Sequence, residues 1–371
     1  MPTRMFGLTL AAAALIAVAG CSSQSASSVT KPVTGSIADA HIVMDGGNVG
    51  YATWPSGARW IVMKTSDGWN TVSNVTPMAV PTDGGLALEA NPSGVAVGVR
   101  PYKLLTVSPV LVSTDGGAQW KPVQTPGALA RGTDVATTTT NGVWVVLANS
   151  SVAYLPNGSS AWVTFTPHGF GPGFTPTAVS SPDGHVVVVG GRSTAHTVAF
   201  VTPTDGRSWQ TVIAPASGST GAACQLGSTL ALPLMTSTGI TLMTRFGSES
   251  AWTAYPGPTG AGSSASLGCN RDAGLWVAQH SGGRLKVWRT AVQGNAVMPG
   301  TQMGDLEPWE ISPEIPVAVY SIAPVTADQG VAVTANPTVI TGIDVRGDAG
   351  RATPKPLPSW VATVGGPVMK N

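Results

Sequence analysis

The sequence predicts an all-β fold, and three observations lead there. Glycine (46) and proline (30) are abundant, and Val, Thr and Ala are frequent, a mixture that favours strands and turns over helices. No long stretch keeps a convincing helical period. Third, one short pattern recurs: a weakly polar strand, a Gly/Asn/Asp turn, then a strongly apolar strand. It is read at Val43 to Val49, Glu89 to Val95, Thr137 to Val143, Ser180 to Val186, Cys224 to Leu230, Cys269 to Leu275 and Val325 to Val331. Successive copies end 43 to 56 residues apart, most near 45. That is the length of a four-stranded propeller blade. A second hairpin follows each copy, so the expected architecture is a seven-bladed β-propeller of four-stranded antiparallel blades. The blades are placed at 37–78, 84–127, 133–167, 176–215, 220–258, 264–298 and 316–356. The closing apolar segment, 360–364, has no place in this scheme beyond an edge cover or a closing strand.

Residues 1–20 read as a lipoprotein signal peptide. Arg4 is followed by an apolar run from Phe6 to Ala19, too short to suit a permanent membrane span, and then by Val18-Ala19-Gly20-Cys21. That last string resembles the bacterial lipobox, which implies a diacylglyceryl group on Cys21 and a new N-terminus there. Buried acyl chains contribute about 0.8 kcal/mol per CH₂, so two or more would anchor the protein firmly. Residues 21–36 are Ser-rich and read as a flexible tether. Residues 37–371 form the propeller. The expected location is the extracytoplasmic face of a bacterial membrane, reached by export and kept by the lipid; a plain signal peptide with a chance cysteine is the alternative.

The best-preserved second hairpin is Ser113-Thr114-Asp115-Gly116-Gly117-Ala118-Gln119-Trp120. A short Asp side chain accepts hydrogen bonds from its own turn, glycine takes angles that other residues avoid, and the Trp buries a large surface as the next strand begins. The string resembles the Asp-box, or BNR repeat, of sialidase-like β-propellers, with Ser113, Asp115, Gly117 and Trp120 as its structural residues. Degenerate copies end at Trp69, Trp162, Trp209 and Trp252, and units six and seven are read as having lost the Trp. The repeats are also similar to those of the photosystem II assembly-factor propellers, although no run of residues transfers that family's partner.

Cys224 and Cys269 each stand six residues before the apolar strand of adjacent units five and six. The repeat therefore sets them at one height on neighbouring inner strands. A disulfide is one reading and two separate buried thiols the other.

A sialidase site, as the resemblance implies it, needs three arginines, a Tyr/Glu pair and an acid Asp, with an early Arg-Ile-Pro or Arg-Leu-Pro string. The nearest string is Val99-Arg100-Pro101. Glycosidases need two carboxylates across a cleft, yet Asp67, Asp115, Asp183 and Asp205 all fall in turns. The five histidines show no metal-ligand spacing. Charged residues are 10% and the net charge is +1, which offers nucleic acid no electrostatic footprint. No catalytic residue, cofactor or metal is expected. Two loops are candidates for partner binding: Glu307, Trp309 and Glu310, placed between blades six and seven, and Phe170 and Phe174 between blades three and four. The bland readings are a solvated connector and a plug between blades. The expected function is a non-enzymatic binding or scaffold propeller for a protein or glycan partner; the alternative is a glycan-active hydrolase with its site at the axial mouth.

Overall fold

In the structure, a computed structural model, residues 36–57, 59–77, 85–100, 109–247, 251–258, 265–290, 309–346 and 350–363 are described. The signal peptide, Cys21, nearly all of the tether and Glu307 lie outside them. The described chain is a β-propeller of seven consecutive four-stranded antiparallel meanders. Five are separate sheets. The fourth and fifth are joined through an extra strand, Gly218–Thr220, which pairs with Arg192 and Ser193 on one side and with Leu234 and Met235 on the other. Glycine is required there, because a side chain at Gly218 would collide with the Met235 carbonyl.

The innermost strands are His41–Gly46, Leu86–Asn91, Ala136–Thr139, Phe174–Ser180, Cys224–Leu226, Ser266–Asn270 and Ser321–Pro324. Each belongs to one of the seven predicted repeats. The second strands carry the most apolar runs, and their side chains are buried between blades; Val187, Val188 and Val189 are fully enclosed. Burial of such side chains on both faces of every blade is the main stabilising term.

Outer hairpins fasten blades two, three, four and six to the one before. Trp120 stands just before the outer strand Lys121–Gln124 of blade two and donates from Nε1 to the Val75 carbonyl of blade one, 2.7 Å. Trp162 does the same from blade three to Gln124, 3.0 Å. Trp209 packs edge-on against Phe165 and Trp144 of blade three, at ring-centroid distances of 5.2 and 6.0 Å. Trp120→Phe keeps the packing and removes the hydrogen bond. It is expected to lower unfolding free energy by about 1 kcal/mol in urea titration, and an unchanged midpoint would show that the indole N–H is immaterial.

The same position corrects the reading of blade six. Trp309 immediately precedes the strand Glu310–Ile311, which pairs with Arg284–Arg289 as the outer strand of that blade. Its Nε1 donates to the Pro256 carbonyl of blade five, 3.3 Å. Blade six therefore kept its Trp and runs to residue 311, not 298. The long insertion sits inside it, between the third and fourth strands, and delays the Trp beyond the repeat length.

Polar side chains hold the tips of the outer hairpins. Ser113 Oγ donates to Asp115 Oδ1 (2.7 Å) and accepts from Gly117 N (2.7 Å), while Asp115 Oδ1 accepts from Gln119 N (2.9 Å). In blade one, Thr65 and Asp67 repeat the arrangement. There Trp69 takes the place of the glycine, at φ +69°, and its N–H donates to Thr65 Oγ1. Backbone donation from Thr71, then its hydroxyl, brings the Asp67 carboxyl down to about 2; Gln119 N, first, lowers Asp115. Folded values below the unfolded ones mean that both turns add stability above the ordinary carboxylate range and lose it as pH falls through the folded values. Asp115→Ala is expected to lower the thermal midpoint at pH 7, and by less as the pH falls below the ordinary carboxylate range, by calorimetry.

The ring closes without strand exchange, since blades one and seven each consist of their own consecutive strands. Ile42 N donates to Ser321 Oγ, 3.2 Å, and Trp54 Nε1 donates to the Pro337 carbonyl, 3.0 Å. The closing apolar segment is a short helix, Ser359–Thr363, not a strand. Its Val361 is buried against blade one, and the Val361 carbonyl accepts from Ser56 Oγ.

Candidate functional site, the axial cavity

Seven innermost strands converging on one axis leave a cavity of about 340 Å³ to which every blade contributes. Side-chain alternation along a strand selects what it sees. In blade one, Ile42 and Met44 turn into the inter-blade core, while His41, Val43 and Asp45 are half-buried on the cavity side. His41 and Asp45 are four residues apart, so they mark two ends of the cavity about 13 Å apart at roughly 3.4 Å per residue.

At the strand-start end, burial holds the His41 imidazole below its ordinary value, opposed by Asp134 and assisted by Arg100. Asp134 lies on the cavity wall just before the innermost strand of blade three. At the other end, burial raises Asp45, and Arg271 and Lys64 oppose it. Between the two is Glu89 of blade two, 7% exposed. Its Oε1 accepts from Ser181 N of blade four, 2.9 Å, which braces two blades across the axis. Thr137, its near neighbour, turns its hydroxyl to the Thr138 carbonyl, 3.3 Å, and Oε2 of Glu89 is buried with no hydrogen bond. Burial is the main reason that this carboxyl titrates well above the usual carboxylate range.

Cys224 and Cys269 form a disulfide on the cavity wall, with Cα atoms 6.0 Å apart, and tie blade five to blade six. Asn270, fully buried beside it, donates from Nδ2 to the Gly47 and Pro324 carbonyls, 3.0 Å each. One amide thus holds the inner turns of blades one, six and seven.

The loop candidates have other places. Phe170 and Phe174 are buried, 5% and 4% exposed, and pack with Phe200 at centroid distances of 5.0 and 5.1 Å. They plug the interior near blades three and four and present no surface to a partner. Trp309 is the inter-blade fastener described above, and Glu310 enters as backbone of the outer strand. The reading of the sequence passed over Glu89, His41 and Asp134. Glu89 stood in the recurring turn pattern, and nothing local to it signals burial against Ser181. Among the described residues, no three His, Cys, Asp or Glu side chains are grouped as metal ligands, and no helix is long and apolar enough to cross a membrane.

No protein-family model matches the sequence, and no curated protein matches it. Solved structures do share the fold. A GH74 xyloglucanase from Xanthomonas campestris aligns with TM-score 0.55 and 13% identity over 83% of this chain and 52% of its own, so the chain spans about half that enzyme's length. A putative 6-phosphogluconolactonase from Bacteroides fragilis aligns with TM-score 0.53 and 11% identity, over 85% and 94% of the two chains. Hsv2 from Kluyvelomyces marxianus gives 0.53 and 10%, over 84% and 96%. The fold is that of a β-propeller. At such identities the likeness is one of architecture, and these neighbours differ from one another in what their names describe.

Proposed function

We propose that the chain is an extracytoplasmic lipoprotein, held to a bacterial membrane through Cys21, whose Asp-box propeller is a non-enzymatic binding module for a protein or glycan partner. The observation that supports it best is how the acids are spent. Asp67 and Asp115 close outer turns, Asp183 accepts from His185 N and Val186 N in an inner turn, and Glu89 braces blade two against blade four. What remains for a partner is the mouth of the axial cavity, where Tyr320 is 41% exposed.

One observation favours the second reading, a glycan hydrolase. Glu89 and Asp134 line the same cavity, burial raises the Glu89 carboxyl, and two acids in one site are what glycoside cleavage uses. The geometry favours binding, because Glu89 is nearly enclosed and one of its oxygens is committed to a backbone donor.

The test is capture from native membranes with the full-length lipoprotein, wild type against Tyr320→Ala and Asp115→Ala. Retention of one partner that falls at least tenfold in Tyr320→Ala and holds in Asp115→Ala is the expected result. Turnover of a chromogenic glycoside that Glu89→Gln abolishes would replace binding by catalysis. Mass spectrometry of the mature N-terminus is expected to find a lipid-modified Cys21; any other first residue removes the anchor from the proposal.

A further inference from the structure

The axial cavity contains a polar group whose requirement the protein does not meet. Glu89 lines the cavity and is more than nine-tenths buried, and its Oε2 has no hydrogen bond, although Oε1 is anchored on Ser181 N. A buried carboxyl oxygen left without a hydrogen-bond partner is unfavourable. Most such groups in proteins have a partner. At the Asp45 end of the same cavity, Asp45 Oδ1 is also buried without one. Two unmet oxygens in one chamber call for an occupant that brings hydrogen-bonding atoms of its own.

The remaining wall limits what that occupant is. Asp134 offers carboxylate acceptors, and Thr133, Gln225 and Ser266 offer neutral polar groups. Apolar surface comes from Ala90, Ala222 and the disulfide. The charges in reach alternate in sign: Asp134 and Arg100 act on His41 from one end, and Arg271 and Lys64 act on Asp45 at the other. Asp134 already has the Arg100 guanidinium, outside the lining, as a coulombic neighbour, and Arg271 has Asp45, so the wall offers neither an ammonium nor an anion an uncompensated charge. The volume, about 340 Å³, is at the small end of ligand pockets. A hydroxyl group both accepts and donates, so adjacent hydroxyls satisfy Glu89 Oε2 and Asp134 together whichever role each takes.

We propose that the axial cavity binds a small, uncharged, hydroxyl-rich molecule of single-sugar size, which hydrogen-bonds to Glu89 Oε2 and to Asp134. This rests on the binding reading above and names the ligand class for that cavity.

The test uses the full-length lipoprotein in detergent, with D-glucose and myo-inositol as neutral probes and D-glucosamine and D-glucuronate as charged ones, by calorimetry and saturation-transfer NMR. Wild type is expected to bind at least one neutral probe at least tenfold more tightly than either charged one. Glu89→Gln keeps the anchor on Ser181 and a hydrogen-bonding group in place of Oε2, and is expected to bind within threefold of wild type. Glu89→Leu removes both and is expected to lose at least tenfold, as is Asp134→Ala. Thermal midpoints report that each variant is folded, and Glu89→Gln serves as the informative variant should Glu89→Leu fail to fold. No binding of either neutral probe, preference for glucosamine or glucuronate, or loss of binding in Glu89→Gln with its fold intact would each overturn the proposal. Neutral-probe binding together with cleavage of the matching aryl glucoside would leave this ligand class standing and remove the non-enzymatic reading.

Discussion

Replacing both Cys224 and Cys269 by alanine is expected to lower the unfolding free energy by about 3–4 kcal/mol, the chain-entropy value for a closed loop of this length. The two residues are 45 apart in sequence, so the bond restricts a full blade repeat in the unfolded chain. In the folded state they occupy facing positions on neighbouring innermost strands, and Cys224 is 2% exposed. Alanine there also leaves small voids beside Leu226, Ala231 and Leu275, which adds to the loss. Urea unfolding of wild type and the double variant, with and without reductant, measures it. The expected result is a lower midpoint in the variant and convergence of wild type toward it under reductant. A difference below about 1 kcal/mol would mean that the bond adds little beyond the packing already present.

The second large effect is at Glu89 and depends on pH in a defined direction. Its folded value is raised by burial, so the folded state binds a proton that the unfolded chain releases above its ordinary carboxyl value. Below that value the group has no effect on stability through titration. Above it, folding is opposed by about 1.4 kcal/mol for each further pH unit, until the folded carboxyl itself ionises. Donation from Ser181 N favours its charged form, and Asp134 disfavours it. Glu89→Gln keeps the shape and the acceptor for Ser181 N but does not titrate. It is expected to match wild type near pH 4 and to become progressively more stable than wild type from there toward neutrality, by denaturant titration at several pH values. Equal stability of the two proteins at pH 7 would show that Glu89 is ionised in the folded state.

Much of this fold was legible because a blade is a local object. The turn at residues 92–93, the Asp115 hairpin and the apolar second strands each carry their signal within a few residues, and a repeat multiplies it. Cys224 and Cys269 were legible for the same reason: equal offsets in adjacent repeats imply equal heights. Trp309 was not, because an insertion within blade six separated it from the repeat that gives it meaning. Phe170 and Phe174 look exposed in a Gly/Pro loop, but the 3₁₀ turn Pro167–Phe170 folds them onto Phe200, 26 residues beyond Phe174. The cavity was least legible of all. Glu89 becomes special through Ser181, 92 residues away, and His41 through Ser321 and Asp134, so the site is a property of ring closure.

That closure has a mechanical consequence. Six of the seven joints between blades lie between segments of chain that follow one another directly. The seventh, where Ile42 meets Ser321 and Val361 lies over blade one, joins the start of the ring to its end and has no covalent continuity behind it. It is a seam. Tension applied between the two ends of the propeller bears on this line first, and thermal breathing of the ring widens it before any other joint. Pulled from its two ends, the ring would open there like a split washer, against the Ile42–Ser321 and Trp54–Pro337 hydrogen bonds and the Ser359–Thr363 helix.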